Sequence, residues 1–296
     1  MSRSRSSAPR LLLGATCIDL PPRTTRDRAL EVAGRFRESE SLAVTLVKAL
    51  DAGAEAVYSV PSPTMRAALA ELRRSVPVLA RLPWTPPADD LFFEHTLAQG
   101  GTGAAGWGAL RGGPGAIGML PAAITGDLSA RVASRCEAEA RFVEPRGLCG
   151  LAVAAPVTDL ALAAGHARFF ERILAFGRAR FGGLAGFETA NLGLLVRRLH
   201  EWGVEPDFVM APVNPRGFGM KPDTAGVLGA MRRPGIPVLA TELRAGGVVS
   251  MEEGAAFARE HGAHGLVPEL VDLDDVAAEL RLLGGAKNAA GGPDTL

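Results

Sequence analysis

Short apolar runs alternate with amphipathic stretches along the C-terminal third of the chain, and each apolar run ends in a cluster of polar residues. The runs span residues 184–191, 207–216 and 236–247, and a shorter one at 264–267 precedes a last amphipathic stretch. Apolar runs that alternate with helices are typical of buried parallel strands in right-handed βαβ units. The pattern therefore predicts an α/β fold with polar residues at the carboxyl ends of its strands.

The same alternation extends towards the N-terminus and predicts a single (β/α)₈ TIM barrel, in which the carboxyl ends of the strands form the active-site face. The charged, proline-led segment 20–38 is predicted to connect across the barrel mouth. The predicted upstream strands are 11–18, 54–60, 76–82 and 148–155, and the predicted helices are 40–52, 64–74, 128–142 and 160–181. The predicted domain organisation is a disordered tail at 1–10, the barrel at 11–283 and a flexible tail at 284–296.

One segment interrupts this alternation. Residues 83–115 contain three prolines near their start and eight glycines from position 100 onward. A loop of this length inside a compact domain is typically either functional or disordered. We interpret it as a mobile glycine-rich flap inserted over the active-site face, with plain disorder as the alternative.

Composition and charge narrow the class of protein. The apolar fraction of 47% is enough for a large core, and the net charge of zero gives no indication of a nucleic-acid partner. The first apolar run is too short to span a membrane. Cys17, Cys136 and Cys149 are scattered without a C-x-x-C pair, which argues against a zinc site or a disulfide framework. These features predict a cytoplasmic protein with no metal and no membrane or nucleic-acid partner, whereas the oligomeric state stays open.

Several strand-end motifs resemble the aldo/keto reductase superfamily. Residues 235–247, GIPVLATELRAGG, resemble that family's strand-seven segment with its leucine-x-Gly-Gly close, and residues 186–191, GFETAN, resemble its strand-five motif. Ala-Ala-Pro at 154–156 and Val-Tyr-Ser-Val at 57–60 stand in the places of its His-x-Pro and Phe-Asp-Thr-Ala motifs. The resemblance covers roughly two thirds of the chain. It implies a (β/α)₈ barrel that binds NADPH at its carboxyl face.

The resemblance also implies a catalytic set of Asp, Tyr, Lys and His, and this chain departs from it at each position. The corresponding residues are Tyr58, Pro63, Arg81 and Ala154. Without a phenol at the acid position or an imidazole, the family's hydride transfer lacks its proton donor. The segment 268–275 carries four carboxylates and no basic residue, which opposes binding of a 2′-phosphate, although acidic residues also cap helices. We therefore predict no cofactor.

Two carboxylates and one phenol are the catalytic candidates. Glu188 and Glu242 lie at the ends of the predicted strands five and seven, inside otherwise apolar runs. Charged residues are rarely buried without a partner or a function, and carboxylates at a barrel mouth are often acids or bases. The alternative is a structural ion pair with Arg81 or Arg244. Tyr58, the single tyrosine, is either a third catalytic residue or an aromatic side chain that closes the barrel core.

Further residues at the strand ends are predicted to bind the substrate. The asparagines offer hydrogen bonds to a carbonyl or amide, the cations hold an anion, and the paired glycines let backbone amides approach a phosphate or carboxylate. Turn formation and solvated surface charge are the alternatives. The predicted binding residues are Arg81, Asn191, Asn214, Arg216, Lys221, Arg244, Gly246 and Gly247.

Three functional hypotheses follow from these residues. The first is a non-redox enzyme, namely a lyase, isomerase or cyclase, that acts on a small anionic metabolite, in a bacterial specialised pathway. The second is an NAD(P)H-dependent aldo/keto reductase with a rearranged site, in which Tyr58 donates the proton. The third is a catalytically inactive barrel that serves as a binding or scaffold subunit.

Overall fold

Eight parallel strands form the centre of the molecule. The computed structural model describes residues 8–83, 128–143, 147–233 and 235–285. Every strand pairs in parallel with its neighbour in chain order, in one eight-stranded sheet. The strands are Leu12–Gly14 (β1), Ala56–Ser59 (β2), Val78–Leu82 (β3), Leu148–Val153 (β4), Leu184–Glu188 (β5), Phe208–Pro212 (β6), Val238–Thr241 (β7) and Gly265–Leu266 (β8).

The sheet closes on itself between β1 and β8. The backbone amide of Gly14 donates to the carbonyl of Pro268 at 2.8 Å, and the amide of Leu266 donates to the carbonyl of Arg10 at 2.9 Å. Gly14 also forms a parallel bridge with Glu269. The predicted fold class, an α/β TIM barrel, is confirmed.

Helices cover the outside of the barrel, and five of those described begin at a side chain that accepts a hydrogen bond from the backbone amide three residues later: Thr25, Ser62, Asp223, Ser250 and Asp275. The helices are Arg26–Arg35 (α1), Ser39–Asp51 (α2), Pro63–Ala70 (α3), Leu128–Ala140 (α4), Ala155–Ala163 (α5), Ala167–Phe181 (α6), Leu192–Trp202 (α7), Thr224–Met231 (α8), Met251–Glu260 (α9) and Val276–Gly285 (α10).

Two helical features differ from the prediction. The segment 20–38 contains α1, which packs against the 3₁₀ turn after β8, because Arg28 Nε donates to the carbonyl of Val271 at 2.8 Å. The single helix predicted at 160–181 is instead two helices, α5 and α6. They are separate because Gly165 adopts a left-handed φ of 64° after α5, which ends a helix.

The alternation of side chains along each strand separates two apolar cores. Outward-facing residues such as Val57 and Phe187 pack against the helices. Inward-facing residues such as Leu79 and Phe208 fill the barrel. Since apolar layers occupy the amino end and the middle of the barrel, the described ionisable side chains inside it lie at the carboxyl end.

The N-terminal residues that the structure describes close the base of the barrel. Ala8 is buried in the inner apolar core, and its carbonyl lies 2.8 Å from Nε2 of His264. Residues 8–10, which are part of the predicted tail, therefore belong to the packed structure. The inserted flap predicted at 83–115 lies outside the described residues from position 84 onward, as does the C-terminal tail from position 286 onward.

Candidate active site

Among the described residues, four ionisable side chains lie inside the carboxyl end of the barrel, hereafter the mouth. Each follows an inward-facing position of its own strand by two residues, so the period of two that buries apolar side chains lower in the barrel also directs these four inward. They are Tyr58 in β2, Arg81 in β3, Glu188 in β5 and Glu269 just after β8.

Arg81 and Glu188 form an ion pair in the mouth. Arg81 Nε donates to Glu188 Oε2 at 2.7 Å, and the backbone amide of Ala155 donates to the same oxygen at 2.9 Å. The side chain of Arg81 is 9% exposed and that of Glu188 is 23% exposed. The ion pair predicted as the alternative explanation of Glu188 is thus present, and part of the Glu188 side chain remains exposed.

Glu269 occupies space that a glycine leaves open. A Cβ at Gly14 would lie 2.6 Å from the Glu269 Cδ and Oε1 atoms. The hydroxyl of Thr16 donates to Glu269 Oε2 at 3.3 Å. Burial, and after it the charge of Glu242, raises the pKa of Glu269 to about 8. At neutral pH the Glu269 carboxyl therefore holds its proton most of the time.

Glu242 is the first residue after β7 and is held in a strained backbone conformation. Its φ is 52°, a left-handed value that residues other than glycine rarely adopt. Glu242 Oε1 lies 3.5 Å from Nη1 of Arg23, which belongs to the connection before α1. Burial raises the pKa of Glu242 to about 7, against the opposing effect of the Arg23 charge. Glu242 therefore exchanges its proton near neutral pH.

Tyr58 is fully buried beside the ion pair. Burial, and after it the charge of Glu188, raises the pKa of the Tyr58 phenol well above its ordinary value, so the phenol keeps its proton. The Tyr58 hydroxyl and Nη1 of Arg81 are both buried without a hydrogen-bond partner among the residues that the structure describes. Two donors without a partner therefore lie on the neighbouring strands β2 and β3.

The two predicted asparagines lie at the mouth in different surroundings. Asn214 is buried, and its Nδ2 donates to the carbonyl of Phe218 at 2.9 Å. Its Oδ1 accepts from the amides of Arg216 at 3.2 Å and Phe218 at 2.9 Å, so the Asn214 side chain holds the loop after β6. Asn191 is partly exposed and precedes α7.

The predicted cations outside the barrel interior also differ. Arg244 donates from Nε to the carbonyl of Val249 at 3.1 Å and from Nη1 to the carbonyl of Asp272 at 2.9 Å. It thereby joins the loops after β7 and β8. Arg216 and Lys221 are exposed on the loop after β6, where they are accessible to an anion that approaches the mouth.

The predicted glycine pair lies in a left-handed turn after β7. Ala245, Gly246 and Gly247 have φ values of 51°, 73° and 94°. The amide of Gly247 donates to the carbonyl of Arg244 at 2.9 Å, which closes the turn. Gly247 is exposed. The left-handed backbone conformation therefore explains why glycines occupy this turn. The exposed face of the turn lies at the rim of the mouth.

Two mouth residues were not among the predicted site residues. The sequence pattern places Glu269 only within an acidic helix start. In the structure that helix, α10, is capped by Asp275, whose Oδ1 accepts from the amides of Ala277 at 3.1 Å and Ala278 at 3.0 Å. The alternation of inward-facing and outward-facing side chains along residues 265–269 is the sequence pattern that predicts an inward direction for Glu269. No local sequence pattern identifies Arg23 as a mouth residue, because its contact with Glu242 depends on the path of the chain before α1.

The mouth combines a carboxylate paired with a cation and two carboxyl groups that titrate near neutral pH. A carboxyl group that holds its proton near neutral pH can act as an acid, so Glu242 and Glu269 are candidates for that role. Within the described ranges, no cluster of three or more His, Cys, Asp or Glu side chains is arranged to bind a metal ion. None of the helices in the same ranges is long and apolar enough to cross a membrane.

Comparison with solved structures supports the fold. A structure of a Gox0644 point mutant in complex with NADPH has a TM-score of 0.50 at 14% identity, covering 96% of this chain and 89% of that chain. An aldo/keto reductase from Brucella melitensis has a TM-score of 0.45 at 11% identity, with coverages of 92% and 86%. QR15, an aldolase, has a TM-score of 0.46 at 12% identity, with coverages of 84% and 89%.

What the chain shares with these structures is the fold, a (β/α)₈ barrel. No protein-family model and no curated protein sequence matches the chain. The likeness therefore concerns the barrel and leaves its chemistry to the residues of the mouth.

Proposed function

We propose that this protein is a non-redox enzyme, a lyase, isomerase or cyclase, that moves a proton on a small anionic metabolite. The observation that supports the proposal most strongly is the grouping of Glu188, Glu242 and Glu269 at the mouth. Glu188 is the carboxylate paired with Arg81, whereas Glu269 and Glu242 have pKa values raised to about 8 and about 7. Glu188 acts as the base, and Glu269 or Glu242 returns a proton.

An anionic substrate is supported by the cations that remain available at the mouth. Arg81 retains one buried nitrogen without a partner in the described part of the chain, and Arg216 and Lys221 are exposed on the loop after β6. Arg244 is less available because its donors bind backbone carbonyls. Substrate charge is therefore matched by Arg81 inside the barrel and by Arg216 and Lys221 at the rim.

The reductase hypothesis is the second candidate. It is supported by the fold that this chain shares with the NADPH-bound structure. A reductase acid needs a phenol that gives up its proton readily, whereas burial raises the pKa of Tyr58 well above its ordinary value. The inactive scaffold is the third candidate, and it would leave the grouping of carboxylates without a role.

The experiment that tests the proposal is proton exchange in D₂O. The protein is incubated with a panel of small oxo acids and hydroxy acids, and loss of C–H signals is followed by ¹H NMR. We expect at least one compound to exchange, and the Glu188→Gln variant to slow that exchange by ~10²–10⁴. The control is Asp207→Asn, which alters a carboxylate paired with Arg178 at the opposite end of the barrel.

Titration of NADPH and NADH by fluorescence separates the candidates. Micromolar binding together with reduction of a carbonyl compound would support the reductase and contradict the non-redox proposal. Absence of exchange, of nicotinamide binding and of any ligand effect on melting would favour the scaffold.

A further inference from the structure

Two buried donors in the mouth are not used by the ion pair. Arg81 is 7% exposed and Tyr58 is 1% exposed. Arg81 commits Nε to Glu188, but its Nη1 has no hydrogen-bond partner among the described residues. The Tyr58 hydroxyl makes no hydrogen bond of ordinary geometry in the same part of the chain, although the nearby Glu188 carboxylate is the acceptor that it faces. Tyr58 pairs with Leu79 on the neighbouring strand, two residues before Arg81, and Arg81 in turn is bonded to Glu188, so the three groups lie in one part of the mouth. Buried polar groups are almost always hydrogen-bonded, so an unpartnered pair needs an explanation.

The chemistry of the two donors defines what they can bind. A guanidinium nitrogen only donates, and the Tyr58 phenol keeps its proton because its pKa is raised well above the ordinary value. Glu188 Oε2 is already occupied by Arg81 Nε and the amide of Ala155. A ligand atom that satisfies both donors must therefore be an acceptor, such as a carbonyl, carboxylate or enolate oxygen. An ammonium group does not fit between them.

We propose that Arg81 Nη1 and the Tyr58 hydroxyl form an oxygen-binding subsite, and that the substrate is a carbonyl compound with a proton on the carbon next to the carbonyl group. This inference rests on the proposed function, since it names the substrate class of the same site. Both donors act where negative charge develops on an oxygen, in surroundings that exclude water.

The reaction step needs no oxidant or reductant. The Glu188 carboxylate takes the proton of the C–H bond, the electron pair of that bond forms a C=C bond, and the π pair of the carbonyl group moves to its oxygen. Arg81 and Tyr58 stabilise the resulting enolate oxygen. Glu269 then gives its proton to the adjacent carbon as the C=O bond re-forms. Glu188 finishes protonated and Glu269 ionised, and exchange with solvent restores both.

The sole tyrosine makes this subsite directly observable. Because Tyr58 is the only tyrosine of the chain, protein that carries ¹³Cζ-labelled tyrosine gives one resonance from this ring. Oxalate is the probe, since its planar dianion resembles an enolate with a neighbouring oxygen. We expect oxalate to shift the Tyr58 resonance saturably at pH 7. The Tyr58→Phe variant, which removes only the hydroxyl, should bind oxalate about tenfold more weakly by calorimetry.

A matched control distinguishes the loss of a hydrogen-bond donor from a change in the packing of the inner core. Met210 lies in the same inner core and pairs with Glu188 across β5 and β6 but offers no donor. The Met210→Leu variant keeps the side-chain volume and should bind oxalate as the wild type does. A similar loss of affinity in both variants would overturn the subsite, and so would oxalate binding that leaves the Tyr58 resonance unmoved. Absence of oxalate binding to the wild type at millimolar concentration would overturn it as well.

The outcomes also distinguish this inference from the proposed function. If oxalate shifts the Tyr58 resonance but no panel compound exchanges its proton, the subsite stands and the proposed function fails. If exchange occurs while the wild type and Tyr58→Phe bind oxalate equally, the function stands and the subsite fails. If Tyr58→Phe does not fold, the resonance of the labelled wild type still tests the subsite.

Discussion

The two ends of the barrel contain the same kind of ion pair in different surroundings. At the base, Asp207 accepts two hydrogen bonds from Arg178, at 3.1 and 3.0 Å, and one from the amide of Ala185 at 2.9 Å. Arg178 Nη2 also donates to the carbonyl of Glu205 at 2.7 Å. In the mouth, Glu188 likewise accepts from an arginine and from a backbone amide.

The two ion pairs differ in the hydrogen-bond donors that they leave without a partner. The pair at the base of the barrel places Arg178 at the surface, 35% exposed, where its donors bind protein groups or face water. The pair in the mouth buries Arg81 and leaves its Nη1 without a hydrogen-bond partner among the described residues. The neighbouring Tyr58 hydroxyl is also buried and makes no hydrogen bond of ordinary geometry there. An arginine–carboxylate pair therefore does not by itself identify an active site. The unsatisfied donors around it, which are costly to bury, are the informative feature.

The strongest test of this comparison removes one carboxylate charge from each end. Glu188→Gln should reduce turnover per folded molecule by ~10²–10⁴, because it removes the base, and should also lower stability, because Arg81 loses its counter-charge. Asp207→Asn should lower the free energy of unfolding by about 1–3 kcal/mol and leave turnover unchanged. Exchange rates and thermal melts of both variants measure these effects. Equal loss of turnover in both variants would contradict the distinction between the two ends.

A smaller change moves a mouth carboxyl group without removing it. In Gly14→Ala the new methyl group meets the Glu269 carboxyl, which is the flexible end of a side chain and can shift. Misplacement of a catalytic group by about 1 Å typically costs ~10² in rate, so we expect a loss of that order with a modest change in melting temperature. Gly34→Ala is the control, since a Cβ at Gly34 meets nothing within 4 Å. Unaltered exchange in Gly14→Ala would show that Glu269 takes no part.

The dependence of stability on pH tests the raised pKa of Glu269. Because this pKa rises from 4.5 to about 8 on folding, the folded protein holds the proton more tightly than the unfolded chain. The resulting stability is complete below pH 4.5 and is lost as the pH rises through 8. The Glu269→Gln variant should therefore have the melting temperature of the wild type at pH ~4. At pH ~9 its melting temperature should be higher, by about 2–4 °C for each kcal/mol that the buried charge costs the wild type. Glu260→Gln, at an exposed carboxylate, should show no such divergence.

The smallest expected effect concerns the rim. Arg216→Ala and Lys221→Ala should leave the free energy of unfolding within about 0.5 kcal/mol of the wild type, because both side chains are exposed. We expect them to raise KM for an anionic substrate severalfold with little change in kcat, since they attract the substrate before the reaction. Added salt should shrink this difference. A fall in kcat with constant KM would place either cation within the reacting site.

The sequence by itself determined the barrel. Apolar runs that alternate with amphipathic helices require parallel strands covered on their outer face, and short connections between them leave few other topologies. The same pattern placed Glu188 and Glu242 at strand ends and hence at the mouth. The pattern predicted one helix at 160–181 instead of two, because the helical spacing of apolar residues continues across the boundary between them. The left-handed conformation of Gly165 separates the two helices.

Only the tertiary structure decided which side chains meet and which are already occupied. Glu269 and Gly14 lie at opposite ends of the sequence and come together because β8 closes onto β1. The amide of Asn214 is bound within its own loop, whereas Tyr58 and Arg81 keep buried donors without a partner among the described residues. A linear pattern fixes the direction of a side chain within its strand. The partners that satisfy that side chain come from distant strands, so the chemistry of the mouth follows from barrel closure.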